Sequence, residues 1–342
     1  MAATILVVIG ALIVIGASIT VPYYALTPGS ARPTEPLVSV EGAEIFPSDG
    51  EVLFTTVHVE HLNLIDYARH RLGLLPDSWR VLTEEDYLGP NTEAENDQIN
   101  ANLMTNSKDV ASYVALEHLG YDVTITGTGA VVLQIVDGAP ASGKLELGDT
   151  IVAIDGEKIE LTEQVARIVA SRAPGDSIVL TIEQSDESTG DVEVTLAPRE
   201  DDPDAGFLGV ATTTRDLAFN LPIDVEIDSG NVGGPSAGLA FTLAILDIMT
   251  PGDLSGGEVV AVTGTMNPDG SVGAVGGVAQ KVVASDDAGA EVFLAPTSEL
   301  EEAAGAAPDG IRVEPVDDLD DALAVLAELG GNALALPARP TS

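Results

Sequence analysis

The spacing of apolar residues changes character along the chain, and each change marks a different kind of element. Ala2–Ile19 (AATILVVIGALIVIGASI) is an almost unbroken apolar run, and no charged side chain precedes Arg32. About 20 such residues cross the hydrocarbon core of a bilayer as a helix. Pro28 to Pro36 then read as a linker. Glu51–Val59 (EVLFTTVHV) has the look of a strand, whereas Leu62–Leu72 and Asn96–Leu119 repeat apolar positions at helical spacing. The longer helix ends at Gly120, a residue suited to the left-handed turn that stops a helix. From Tyr121 to about Glu200 the pattern is β-rich, with one helix near Leu161–Ser171 and a polar hairpin tip at Ser185–Asp191. Asp201–Gly206 (DDPDAG) reads as a second linker. From Phe207 to about Leu329 strands alternate with helices, at Pro235–Met249 and Val278–Ala288, which is a βαβ signature. The end of the chain, with Pro337 and Pro340, reads as a frayed tail. The whole is expected to be an α+β multidomain protein.

Two readings of the apolar N-terminus compete. A cleaved signal peptide usually has a basic start and an apolar stretch of roughly 7–15 residues. This run has no basic residue and is longer, which favours an uncleaved transmembrane anchor, with Pro22, Tyr23 and Tyr24 as an interfacial belt. Charge adds an exclusion: 55 acidic against 14 basic residues give a formal net charge of −41, which repels phosphate backbones and rules against nucleic acid as a partner. With no cysteine, thiol catalysis, disulfides and Cys-ligated zinc are excluded. Lysine is scarce, occurring only as Lys108, Lys144, Lys158 and Lys281.

Within the β-rich segment, Leu145–Gly156 (LELGDTIVAIDG) sets a tight Gly148-Asp149 turn before Ile151 and Ile154, then turns again at Asp155-Gly156. This resembles the signature of PDZ domains of the kind attached to bacterial proteases. The resemblance implies that Thr126–Val136 (TGTGAVVLQIV) supplies the carboxylate-binding loop, Gly127, Thr128 and Gly129, and a groove strand containing Val131. Such a loop offers N–H groups to a peptide C-terminus while the strand edge pairs with the peptide. The alternative is that Gly127 and Gly129 merely permit a sharp turn.

The chemistry is concentrated further on. In Asn231–Phe241 (NVGGPSAGLAF), two glycines allow a sharp turn and Pro235 suits a first helical turn. That places Ser236 at a helix N-terminus, where free N–H groups favour a developing anion, although serine is also an ordinary helix cap. Gly276-Gly277-Val278-Ala279-Gln280-Lys281 opens a second helix, with Lys281 among apolar neighbours. Burial can strip the proton from such a lysine and make it a base; the other reading is a lysine that reaches to solvent.

The paired motifs resemble the proteolytic domain of Lon proteases: Pro235-Ser236-Ala237-Gly238 for the nucleophile, the Gly276–Lys281 element for the lysine, and Val262-Thr263-Gly264 for an orienting threonine. The resemblance runs from about Phe207 to Leu329. With the apolar N-terminus and the PDZ-like segment, the chain resembles membrane-anchored PDZ–Lon-like proteases of Gram-positive and actinobacterial type. It implies a transmembrane anchor and flank at 1–31, a linker and N-terminal protease part at 32–120, a PDZ domain at 121–200, an α/β Lon-type domain at 206–330, and a tail at 331–342. It further implies that Glu51–Val59 belongs to the protease fold. The expected activity is a serine endopeptidase with Ser236 as nucleophile and Lys281 as base, supported by Thr263 and by backbone amides near Gly234 and Ser236.

No metal or other cofactor is expected, and no G-x-x-x-x-G-K-[ST] loop occurs, so ATP-driven unfolding is not expected either. Partners would be unfolded or flexible protein and peptide substrates and, through the N-terminal helix, the cell membrane. The chain would pass once, with an extracytoplasmic catalytic domain; association into a homo-oligomer is left open. The competing function is a peptide-binding adaptor or holdase that keeps the protease fold without turnover. Two further motifs are set aside. Asp228-Ser229-Gly230 has no second copy, as an aspartic protease needs, and His58-Val59-Glu60-His61 lacks the spacing of a zinc-binding H-E-x-x-H.

Overall fold

A computed structural model of the chain describes residues 4, 10–11, 14–184, 188–199 and 202–333. It divides into two compact units, Met1–Asp122 with Leu221–Ser342, and Val123–Asn220, so the second is inserted into the sequence of the first. The elements used below are, in chain order, β1 (Thr20–Pro33), β2 (Glu51–Asn63), β3 (Arg80–Thr83) and α1 (Glu93–His118) in the first unit. The second unit contributes β4 (Ala130–Ile135), β5 (Thr150–Ile154), α2 (Thr162–Ala170), β6 (Ser177–Glu183), β7 (Thr189–Thr195) and β8 (Val210–Thr214). Back in the first unit follow α3 (Gly238–Met249), β9 (Val259–Val262), α4 (Val278–Asp287), β10 (Val292–Pro296) and β11 (Arg312–Val316).

The first unit is built on a six-stranded sheet in the order β11-β10-β9-β2-β1-β3. β11, β10, β9 and β2 run parallel, while β1 is antiparallel to both of its neighbours. Parallel strands covered on both faces need apolar residues on both, and β9 reads VVAV. Alternation on β2 sends Leu53 into a cluster with Val278 and Val282 of α4. The next residue, Phe54, faces the other way, with its ring 6.0 Å from that of Phe241 on α3. The two helices that follow the sequence motifs therefore lie on opposite faces of one sheet.

β1 corrects the expected flank and linker. Pro22, Tyr23 and Tyr24 do not form an interfacial belt: they lie in this sheet, where Tyr24 is 3% exposed. Most of the Pro28–Pro36 segment is strand as well. Prolines hide the strand from a pattern reading, yet they fall where a missing N–H is tolerated. β3 covers β1 only from Tyr23 to Leu26, and the β1–β2 register shifts between Pro28 and Ala31. Among the described residues no helix is long and apolar enough to cross a membrane. Half of the expected span Ala2–Ile19 lies outside the described residues, as does the expected tail from 334 onward.

The second unit has its own sheet, in the order β7-β6-β5-β4-β8, around a core that includes Ile151, Ile154, Leu180 and Val194. Its limits differ from the expected 121–200 domain. Asp201–Gly206 is not an interdomain linker: it joins Ala197–Pro198 to Gly206–Phe207, which pair with each other. The chain then adds β8 to β4, from Val210 opposite Ile135 to Thr214 opposite Ala130. Residues 207–220, expected in the proteolytic domain, thus belong to this unit.

Candidate active site

α3 (GLAFTLAILDIM) is apolar apart from Thr242 and Asp247 and buried at every position but Ile248, so the chain entering it must turn sharply under close packing. A Cβ on Gly238 would lie 2.7 Å from Met266 N and 3.1 Å from Ser107 Oγ, so only glycine fits. The helix begins at Gly238 rather than Pro235, and Ala237 is its N-cap. Its first amides are already paired, Gly238 N–H to Pro235 O at 3.3 Å and Leu239 N–H to Gly264 O at 3.2 Å. Half-buried Ser236 therefore stands one residue ahead of the N-cap, in the turn that opens the helix.

α1 braces this turn from outside. Gly234 N–H donates to Asn100 O at 2.8 Å, and Ser107 Oγ donates to Pro235 O at 3.1 Å. The expected role of Gly234 as an oxyanion donor is thereby overturned, because its amide is committed to α1. The N–H groups of Ser236 and Ala237 have no acceptor among the described residues.

Lys281 sits in the first turns of α4, whose N-cap Gly277 has φ +69°; a Cβ there would meet Val57 Cγ1 at 2.7 Å. The lysine is 2% exposed. Burial lowers its pKa from 10.5 to about 7, against the opposing negative charge of Glu299. Glu299 is itself anchored by accepting Val275 N–H at 2.9 Å. Nζ donates to Thr263 Oγ1 at 3.1 Å, and Thr263 Oγ1 donates to the carbonyl of Ser236 at 3.3 Å. A neutral amine that donates one hydrogen to a hydroxyl keeps its lone pair for another group. No hydrogen bond joins Lys281 Nζ to Ser236 Oγ, but both residues line one cleft of about 1220 Å³. Ser236, Lys281 and Thr263 are thus brought together from a turn, a helix and a strand end.

The expected PDZ residues are placed differently. Thr128 N–H donates to Arg215 O at 2.8 Å and Gly129 N–H to Glu160 O at 3.2 Å, so neither is free to hold a carboxylate. Gly127 is packed so closely that a Cβ would lie 2.4 Å from Glu160 O. Val131 is opposite Thr150 on one side and Thr213 on the other, so β4 has no open edge at that point. The other reading of these glycines, a sharp turn before a strand, is what the structure contains. The outermost strand on this side is β8. Ahead of it, the amides of Leu208 and Gly209 have no backbone acceptor among the described residues, and Thr162 at the start of α2 bonds Thr212 and Thr214. The signal that sequence reasoning passed over was Phe207-Leu208-Gly209-Val210, an apolar turn leading into a threonine-rich strand.

Residues 105–196 match the family model of the PDZ domain, and residues 212–328 match that of the Lon protease (S16) C-terminal proteolytic domain. A protein described as "Probable periplasmic serine endoprotease DegP-like" from Hahella chejuensis is 30% identical over 112 residues, 31% of this chain and 24% of that one. A Lon protease from Trichlorobacter lovleyi is 30% identical over 111 residues, 31% of this chain and 13% of the relative. One from Phenylobacterium zucineum is 32% identical over 136 residues, 39% and 16% respectively. The chain thus spans less than a quarter of the length of these relatives. It carries a PDZ domain and a Lon-type proteolytic domain, homologous to DegP-like and Lon serine proteases.

Proposed function

We propose that the chain is a serine endopeptidase in which Ser236 attacks the peptide carbonyl and Lys281 takes its proton. The observation that carries this reading is Lys281: 2% exposed, its pKa lowered to about 7 by burial, bonded to Thr263, and in the same cleft as Ser236. As Ser236 Oγ bonds to the carbonyl carbon, its proton passes to Lys281 Nζ and the carbonyl oxygen becomes an oxyanion. The unpartnered amides of Ser236 and Ala237 are the donors nearest the nucleophile for that charge, and such donors contribute about 10²–10³ in rate each. The ammonium then gives its proton to the leaving amine, and water attacks the acyl-enzyme by the reverse route. Thr263 fixes the amine by accepting one of its hydrogens.

No step requires a nucleotide, so unfolded or flexible polypeptides are the substrates. The PDZ domain recruits or regulates them, with a peptide pairing along the outer edge of β8 and its C-terminus near Leu208 and Gly209. The uncharged run before Arg32 supports a single membrane pass, and the similarity to a relative described as periplasmic supports an extracytoplasmic catalytic unit. Full-length protein in detergent is expected to cleave an unstructured protein at a rate unaffected by ATP and magnesium, and Ser236→Ala is expected to abolish cleavage. Peptide binding without any cleavage by the unaltered chain would instead make it an adaptor.

A further inference from the structure

β1 carries a side chain into the catalytic cleft that the mechanism above does not use. Ser30 and Arg32 line the same space as Ser236 and Lys281. Arg32 lies opposite Phe54 on β2, and its guanidinium carbon is 4.9 Å from the centroid of that ring. Phe54 is fully buried, and its ring also meets that of Phe241 on α3. The guanidinium is therefore placed by an aromatic platform, through its charge and its flat carbon framework, and not through its N–H groups.

Those N–H groups reach no carboxylate, carbonyl or hydroxyl among the described residues. Arg69, Arg172, Arg215 and Arg312 each pair with an acidic side chain, whereas Arg71, Arg80 and Arg167 make no ion pair among the described residues, as Arg32 does not; what sets Arg32 apart is its place in the cleft over Phe54. In a chain with 55 acidic residues, Arg32 has been kept without one while being held in position. Asp97 is the carboxylate among the described residues that line the cleft, and it makes no ion pair with Arg32. When Lys281 is neutral, Arg32 is the remaining cation of that lining. Elsewhere the net charge of −41 repels acidic peptides, so a fixed positive group here distinguishes one position of a bound peptide from the rest.

Resting on the peptidase reading, we propose that Arg32 forms a carboxylate subsite of the cleft. It would hold an aspartate or glutamate side chain, or the C-terminal carboxylate, of the peptide whose bond Ser236 attacks. The planar fork suits a two-oxygen acceptor, whereas exposure to solvent moderates the gain, so a preference of about tenfold is expected.

The test uses the full chain and peptides matched around one cleavable bond, with Glu, Gln or Lys placed at successive positions and the C-terminus free or amidated. At one position Glu should exceed Gln about tenfold in kcat/KM, falling as salt is added. Arg32→Ala should bring that ratio to about one, Arg32→Lys should retain part of it, and Arg32→Glu should turn it toward Lys. Because each ratio compares peptides on one variant, a general loss of activity does not mimic the effect. If the variants do not fold, the unaltered chain still decides: hydrolysis without preference for any carboxylate overturns the subsite. A preference confined to free C-termini assigns the carboxylate to the chain end; one that survives amidation assigns it to a side chain. Binding of the same peptides to Ser236→Ala separates this proposal from the peptidase reading. Tighter Glu binding without hydrolysis by the unaltered chain would sustain the subsite and sink the peptidase. Hydrolysis with equal Glu and Gln binding would do the opposite.

Discussion

Two glycine-rich turns, Thr126–Gly129 in the PDZ unit and Asn231–Gly238 in the proteolytic unit, look alike in sequence and put their backbone amides to different uses. In the first, Thr128 and Gly129 donate to the carbonyls of Arg215 and Glu160 at 2.8 and 3.2 Å, tying the turn to other segments of its own unit. In the second, Gly234 is pinned by Asn100 O, while the amides of Ser236 and Ala237 remain without an acceptor beside the cleft. A glycine pattern announces that the backbone turns and approaches something closely. Whether it approaches its own chain or leaves room for a ligand is decided by what packs against it.

The strongest way to sharpen this contrast is to disable one turn and alter the other. Lys281→Ala, which removes the base for the second turn, should lower hydrolysis by at least about 10³-fold, and the double variant with Ser236→Ala should be no worse, because the two act as a unit. Thr128→Ala in the first turn should leave hydrolysis unchanged. The pH profile of the unaltered chain carries the same signature. With Lys281 as the proposed base, its neutral form is the active one, so the rate should rise with pH through about 7 and then level off. Salt, by screening the acidic surface that favours the ammonium, should move that limb slightly down. Stability follows with a defined sign. The folded state holds this proton less tightly than the unfolded chain, so the lysine's cost is full below about 7 and disappears toward 10.5. Lys281→Met should therefore raise the unfolding midpoint at pH 7 and lose that advantage as pH approaches 10.5.

A smaller effect tests the brace. Ser107→Ala removes the hydroxyl that holds Pro235 O, a bond worth about 1 kcal/mol. It should lower kcat about fivefold with KM and the pH limb little changed; an unchanged kcat would leave α1 as scaffold only. The smallest effect is in exchange rates. In the full chain the amides of Thr128 and Gly129 should exchange slowly, those of Leu208 and Gly209 fast. A bound peptide with a free C-terminus should slow the second pair alone.

Much of the catalytic unit was legible in the sequence because its chemistry is local. A largely apolar helix after a Pro-Ser turn and a lysine among valines at helical spacing each declare themselves within a few residues. β1 was not legible: its prolines mimic a linker, and only β2 and β3 beside it make it a strand. The PDZ groove failed for a related reason. TGTG and FLGV both permit sharp turns, and the free edge belongs to β8 because β4 is paired on both sides at Val131.

By itself, the sequence singled out the residues to which we assign the chemistry, Ser236, Thr263 and Lys281, in a chain without cysteine and with few lysines. It determined the apolar and polar periods that make α3, α4 and the inner strands. Only the tertiary structure decided that Gly234 is bound to α1, that Lys281 is buried enough to bring its pKa down to about 7, and that Arg32 stands over Phe54 without an acid. The physical reason is that desolvation and hydrogen-bond satisfaction depend on groups distant in sequence. Asn100 is far along the chain from Gly234, as Val57 is from Gly277, and Glu299 lies beyond the helix that carries Lys281.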